Sequence, residues 1–188
     1  MTSRLPLGVA ALILCVPIGL TAQSPALIEK SQRGVELMAA GKYEDAIPVY
    51  RELSRAVPDN PGLPLNLGMA LQLAGHSRQA IAPLERALKL DASTLPAWLF
   101  LGAAYLGVAE PGKAVPPLKK YVSLQPADPS GHQDLGDALL ATGTLRDAEQ
   151  EFLKLSQMDP SNRRAWYGVE SLLHVSRGGS FSSASCRW

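Results

Sequence analysis

Gly34, Gly68, Gly102 and Gly136 stand 34 residues apart, and Ala46, Ala80, Ala114 and Ala148 keep the same interval. Nothing else in the chain constrains its fold as tightly, because a period of this length makes each copy one supersecondary unit that stacks on the next. Two further series share the phase. Leu37, Leu71, Tyr105 and Leu139 lie between the glycine and the alanine, and Tyr50, Leu84, Leu118 and Phe152 follow the alanine. Three copies have glycine at mid-unit, Gly41, Gly75 and Gly143, and three close on proline, Pro58, Pro126 and Pro160. A small residue in each half lets two backbones approach closely, and the bulky series packs around that contact.

Within the second copy, Leu67, Leu71, Ile81, Leu84 and Leu88 recur at three- and four-residue steps, which draws one apolar stripe on each of two helices. Neither helix buries its stripe alone, so the hairpins must stack. The spacing predicts an all-α chain of about nine helices, over 27–39, 43–56, 63–73, 77–90, 95–107, 112–124, 130–141, 145–157 and 163–175. This pattern resembles the tetratricopeptide repeat, a helix-turn-helix unit. Four copies fit without insertion, at 27–60, 61–94, 95–128 and 129–162, and a partial fifth covers 163–176 with Trp166 and Leu173 at the phases of Trp98 and Tyr105. The resemblance implies an α-solenoid of stacked antiparallel hairpins, a tetratricopeptide repeat superhelix.

The departures from that pattern are local. Ala92 stands where other copies close on proline, Ala109 where mid-turn glycine is usual, and Glu170 where the packing glycine belongs. Looser turns are expected there. Pro48, Pro83, Pro116 and Pro117 follow the starts of second helices, and are expected in the first turn, where proline is least harmful.

The ends read differently. Arg4, the apolar stretch Leu5 to Leu20 and the small or polar residues Thr21, Ala22, Gln23 and Ser24 have the order of an export signal. The stretch is interrupted by Pro6, Gly8, Pro17 and Gly19 and falls short of the roughly 20 apolar residues of a spanning helix. We therefore expect a signal peptide over 1–22, a short linker over 23–26, the repeat domain over 27–176 and a disordered tail over 177–188. Cleavage after Ala22 would leave no integral membrane span and an exported chain, periplasmic or secreted. An uncleaved segment would instead anchor it to a membrane.

Chemistry is sparse. The net charge of +1 carries no footprint of a nucleic-acid partner, and Cys15 and Cys186 are too few for a disulfide framework or a cysteine-built zinc site. His76, His132 and His174 match no local ligand motif, and His132 shares the phase of Trp98 and Trp166, which places it in packing at a hairpin junction. Glu44 with Asp45, and Glu149 with Glu151, read as acids near second-helix starts that complement the helix dipole. The basic pairs Lys119–Lys120 and Arg163–Arg164 read as solvated. No nucleophile elbow, phosphate loop or dinucleotide fingerprint appears, so no catalytic residue, metal or cofactor is expected.

Function is then expected on a surface. In the family resembled here, the first helices line a concave groove that holds a partner's segment. Carried over by phase, its residues are Val35 and Met38, then Leu65, Met69 and Leu73, then Leu99 and Leu106. Further along the same face stand Ser130, Gln133, Asp137, Leu140 and Ala141. Family members that bind chaperone tails clamp a carboxylate with lysines, asparagines and an arginine. At the matching phases this chain has Ser31, Val35, Asn66, Pro96 and Phe100, so only Asn66 agrees. An apolar protein or peptide segment is the expected partner, with methionine supplying adaptable contact. The chain reads as a non-catalytic interaction scaffold of the cell envelope or exterior. The alternative is an accessory module or truncated fragment of a larger envelope enzyme or assembly complex.

Overall fold

The computed structural model describes residues 25–176. The expected signal peptide over 1–22 and the expected tail over 177–188 lie outside the described residues. Along the described chain run α1 (Pro25–Ala39), α2 (Tyr43–Ala56), α3 (Gly62–Leu73), α4 (Ser77–Leu90), α5 (Leu95–Gly107), α6 (Pro111–Leu124), α7 (Pro129–Ala141), α8 (Leu145–Met158) and α9 (Arg163–Ser176). Every expected helix is present, and no end differs by more than two residues. Pro25 and Ala26, expected as linker, open α1.

Each hairpin turns in the same way. Gly41, Gly75 and Gly143 adopt φ of 69°, 84° and 76°, and Ala109, at the same phase, adopts 59°. In all four turns this residue donates to the carbonyl three back, as Gly75 does to Gln72, and the next donates five back, as His76 does to Leu71. Ala109 and Glu110 make the equivalent bonds to Leu106 and Tyr105. The looser turn expected at Ala109 therefore does not form; the alanine takes the left-handed conformation and carries its steric cost of about 1–2 kcal/mol. Ala109→Gly should raise the unfolding free energy by about 0.5–1 kcal/mol, read from the urea midpoint.

The glycine series marks the closest helix contacts. A Cβ on Gly68 would lie 2.5 Å from Leu84 Cγ, and one on Gly136 would lie 2.8 Å from Phe152 Cε1. The alanine series is fully buried beside them. In α9 a different close approach is found, to the preceding second helix: an added Cβ on Gly168 would meet Phe152 of α8 at 2.5 Å. That glycine is out of step, so the period does not reveal it.

The second-helix prolines correct the sequence reading. Pro48 is the sixth residue of α2, Pro83 the seventh of α4, and Pro116 and Pro117 the sixth and seventh of α6. All lie beyond the first turn, so each removes a rung of the helix ladder. The helices persist because their other faces are packed, with Leu84 and Leu118 fully buried next to the prolines.

Adjacent helices pack along the whole chain, and the first helices α3, α5, α7 and α9 also touch one another in turn. The second helices of neighbouring repeats make no comparable contact. The stack therefore curves with the first helices inside. One apolar core runs from Leu37 to Ala104, a second from Ala114 to Ala165, and Tyr105 packs on both. At the N-terminal end, α1 has exposed Glu29, Arg33 and Glu36 at the phases where α3 buries Leu63, Leu67 and Ala70, which makes a solvated end face.

Candidate binding groove

The inner face is built by helices whose composition leaves little choice. α5 holds no charged residue, and α3 has only Asn66 and Gln72 as polar side chains. Both are packed against second helices on either side, so apolar residues surround them, and those turned inward face the groove. Val35 and Leu73 stand open there, 58% and 44% exposed, with Ile28 beside them in phase at 47%. Met38 and Leu65 are half-buried against the first core, Leu99 and Leu106 against the second. Met69 is half-buried as well. The seven expected residues thus fall on α1, α3 and α5, two in the open and five presenting one side to solvent.

On α7 the character changes. Asp137 accepts from Arg164 of α9, with Nε at 2.9 Å and Nη2 at 2.7 Å from Oδ1. This bond joins two neighbouring first helices, which places both residues on their shared inner side and corrects the reading of Arg164 as solvated. Asp134 lies one turn earlier and is half-buried. Its burial, reinforced by the charges of Asp137 and Asp128, pushes its carboxyl up to about 6. The burial of Asp137 raises its carboxyl too, against the lowering effect of Arg164. Asp134 escaped the sequence reading because its phase holds Asn66 and Phe100 in other repeats, although two acids one turn apart on a first helix were visible.

His132 and Glu151 form a buried polar pair between α7 and α8. His132 Nε2–H donates to the Pro126 carbonyl at 3.0 Å, Nδ1 lies 2.5 Å from Glu151 Oε2, and Lys154 Nζ donates to Glu151 Oε1 at 2.9 Å. The junction packing expected of His132 is present. Glu151, however, is the seventh residue of α8 and serves this pair rather than the helix dipole. The indole N–H of Trp98 donates to the Ala92 carbonyl and that of Trp166 to the Pro160 carbonyl, each at 3.0 Å, so the three rings hold equivalent junctions. Glu44, in the first turn of α2, meets His76 at 2.9 Å. A shallow open cleft of about 280 Å³ beside it is lined by Gly41, Lys42, Tyr43, Glu44, Asp45 and Ala74, at the turns and outside the groove. Among the described residues, no group of three or more His, Cys, Asp or Glu could hold a metal ion.

The family model for the tetratricopeptide repeat matches residues 37–105, which include the whole second copy and parts of the first and third. The chain carries tetratricopeptide repeats. The solenoid superposes on MamA from Desulfovibrio magneticus RS-1 with a TM-score of 0.76 at 22% identity, over 83% of this chain and 88% of that one. YrrB, solved as a TPR protein with an unusual peptide-binding site, gives 0.72 at 19% identity, over 80% and 77%. At such identities the likeness is one of fold. Human protein O-mannosyl-transferase TMTC1 is 25% identical over 139 residues, 72% of this repeat protein and 16% of that transferase. Curated relatives are much longer in general, and the chain spans 16% to 37% of the first three.

In this repeat array Asp134 opposes folding at neutral pH. Its folded-state carboxyl, about 6, lies above the ordinary 3.8, so its ionisation destabilises the fold as pH rises from about 4 through 6. Asp134→Asn should raise the unfolding free energy by about 2 kcal/mol near pH 7 and by almost nothing near pH 3.5, measured by urea unfolding at both.

Proposed function

We propose that this repeat protein is a non-catalytic scaffold that holds an extended or helical apolar segment of a partner protein on its inner face, after export from the cytoplasm. The observation that carries the reading is the apolar inner face itself: Val35 and Leu73 stand open on it, and Met38, Leu65, Met69, Leu99 and Leu106 present one side each. A concave surface of this kind suits a segment that brings its own apolar side chains. YrrB, a TPR protein with an unusual peptide-binding site, supports the same use of the fold. Export rests on Arg4, the interrupted stretch Leu5 to Leu20 and the small residues after it. Among the described residues, no helix is long and apolar enough to cross a membrane. A second reading, an accessory module of a larger envelope assembly, draws on the small share of its curated relatives that the chain spans.

Affinity purification from the envelope fraction of the native cell, with mass spectrometry of what is retained, tests the reading. The exported chain should begin at Gln23 and retain a defined partner. Val35→Asp with Leu73→Asp should abolish retention without altering the thermal melt, since both side chains already face water. Leu65→Asp with Met69→Asp should abolish retention too, with a lowered melt because both side chains are half-buried. Unchanged retention by both double variants would reject the groove.

A further inference from the structure

The outer face of the stack carries a charge pattern that the near-neutral chain as a whole hides. At neighbouring phases of successive second helices stand Arg51 and Arg55 on α2, Arg86 and Lys89 on α4, and Lys119 and Lys120 on α6. All six are exposed. Tyr50, Leu84 and Leu118 of the same helices are buried against Gly34, Gly68 and Gly102, so the cations share the side that turns away from the first helices. Two acids occur at these phases, and both are engaged elsewhere: Glu52 pairs with Lys30 of α1, and Glu85 accepts from the Tyr105 hydroxyl at 2.8 Å. Lys119 meets Asp147 of α8 at 3.7 Å, and the other five cations form no ion pair among the described residues. Between them the surface is not simply polar. Leu90 and Leu124 lie one turn after Arg86 and Lys120, at the ends of α4 and α6, and are 40% and 42% exposed.

A convex face has no cleft to enclose a peptide, and exposed leucines gain nothing from the phosphates of a nucleic acid. A sheet of anionic lipid headgroups suits both features. Its surface potential attracts the cations, and aliphatic side chains at the same depth enter the boundary between headgroups and acyl chains. We propose that the outer face of α2, α4 and α6 rests on a membrane surface rich in anionic lipid, with Leu90 and Leu124 as its apolar contacts. The assignment uses no residue of the groove, and it leaves the groove facing away from the bilayer. Each lysine or arginine near such a surface is worth about a fivefold gain in partitioning, and salt erodes that gain by screening. The cations should therefore dominate at low ionic strength, and the leucines should account for what persists at high ionic strength.

Co-sedimentation of the chain from Gln23, which keeps every described helix, tests this with two kinds of vesicle, phosphatidylcholine alone and phosphatidylcholine with about one third phosphatidylglycerol. The chain should bind the anionic vesicles at least tenfold more tightly than the neutral ones, and less tightly as salt is added. Lys89→Glu/Lys120→Glu should weaken that binding at least tenfold with an unchanged thermal melt, since both side chains already face water. Arg33→Glu/Lys42→Glu makes the same change in net charge at exposed positions off the face and should weaken it less than threefold. Leu90→Ser/Leu124→Ser should remove most of the binding that survives in high salt. Equal binding to both kinds of vesicle, or equal losses from the two charge-reversal pairs, would overturn the proposal. Tighter binding to poly-glutamate than to the anionic vesicles would assign the face to an acidic polypeptide and overturn it as well. None of these outcomes bears on retention of a partner by the groove.

Discussion

Glu151→Ala should lower the unfolding free energy by about 3–5 kcal/mol, measured by urea denaturation at neutral pH. The His132 side chain is 2% exposed and that of Glu151 11%, so water cannot replace the lost carboxylate. His132 Nε2–H is already committed to the Pro126 carbonyl, which leaves Nδ1 facing an empty, desolvated position. Lys154 loses its acceptor as well, but it is half-exposed and resolvates at small cost. Removing both members together should hurt far less. Trp98 and Trp166 hold equivalent junctions by donating an indole N–H to the carbonyl six residues back, so His132→Trp keeps the bond that matters to the backbone. With Glu151→Leu filling the space opposite, the double variant should recover most of the loss. A loss below about 1 kcal/mol for Glu151→Ala alone would mean that solvent reaches the pair.

The contrast between this pair and the helices shows what the amino-acid order makes legible. Helix positions follow from Gly34, Gly68, Gly102 and Gly136 because four copies repeat one contact, and a contact repeated in phase is visible without coordinates. His132 and Glu151 occur once, 19 residues apart, and their equivalents are Trp98 with Pro117 in the third repeat and Pro64 with Pro83 in the second. No period announces a pairing that each repeat solves differently. Gly168 escapes for the same reason, since its approach to Phe152 of α8 falls at a phase that holds Asn66, Phe100 and Asp134 in the other repeats. The prolines illustrate a different limit. Residue order gave their positions, but whether a helix tolerates Pro116 and Pro117 in its second turn depends on packing that only the assembled stack supplies.

The groove was legible in part. Phase identifies which side chains turn inward, and all seven expected residues lie on first helices. Phase alone does not divide a core residue from a binding one. Leu65 and Met38 lean on the first core while Val35 and Leu73 do not, a difference that only the packing of the assembled stack reveals. The open pair is therefore the sharper probe of binding, and the leaning residues also report on stability.

The seam between the two cores is where the array should fail first. Gly102 faces Leu118 across it, and a Cβ there would lie 2.3 Å from Leu118 Cγ, 2.5 Å from Cδ2 and 3.0 Å from Cδ1. Leu118 is fully buried, so it has no open direction in which to yield. Gly102→Ala should cost about 1–3 kcal/mol, even though alanine is the better helix former. Repeat arrays are held by nearest-neighbour interfaces, so damage at one junction weakens cooperation between the parts on either side. α5 carries both sides of this seam, since Leu101 and Ala104 belong to the first core while Leu99 and Leu106 pack on the second. Urea unfolding of Gly102→Ala should therefore lose its single transition, with the fluorescence of Trp166 on α9 changing before the helical signal is half gone. Gly112→Ala, where an added Cβ meets nothing within 4 Å, serves as the control and should leave one transition. Leu118→Ala combined with Gly102→Ala should be milder than the sum of the two single losses, because the new methyl group occupies part of the cavity left by the leucine. Strict additivity would place the two residues out of contact and break the registry on which the whole stack depends.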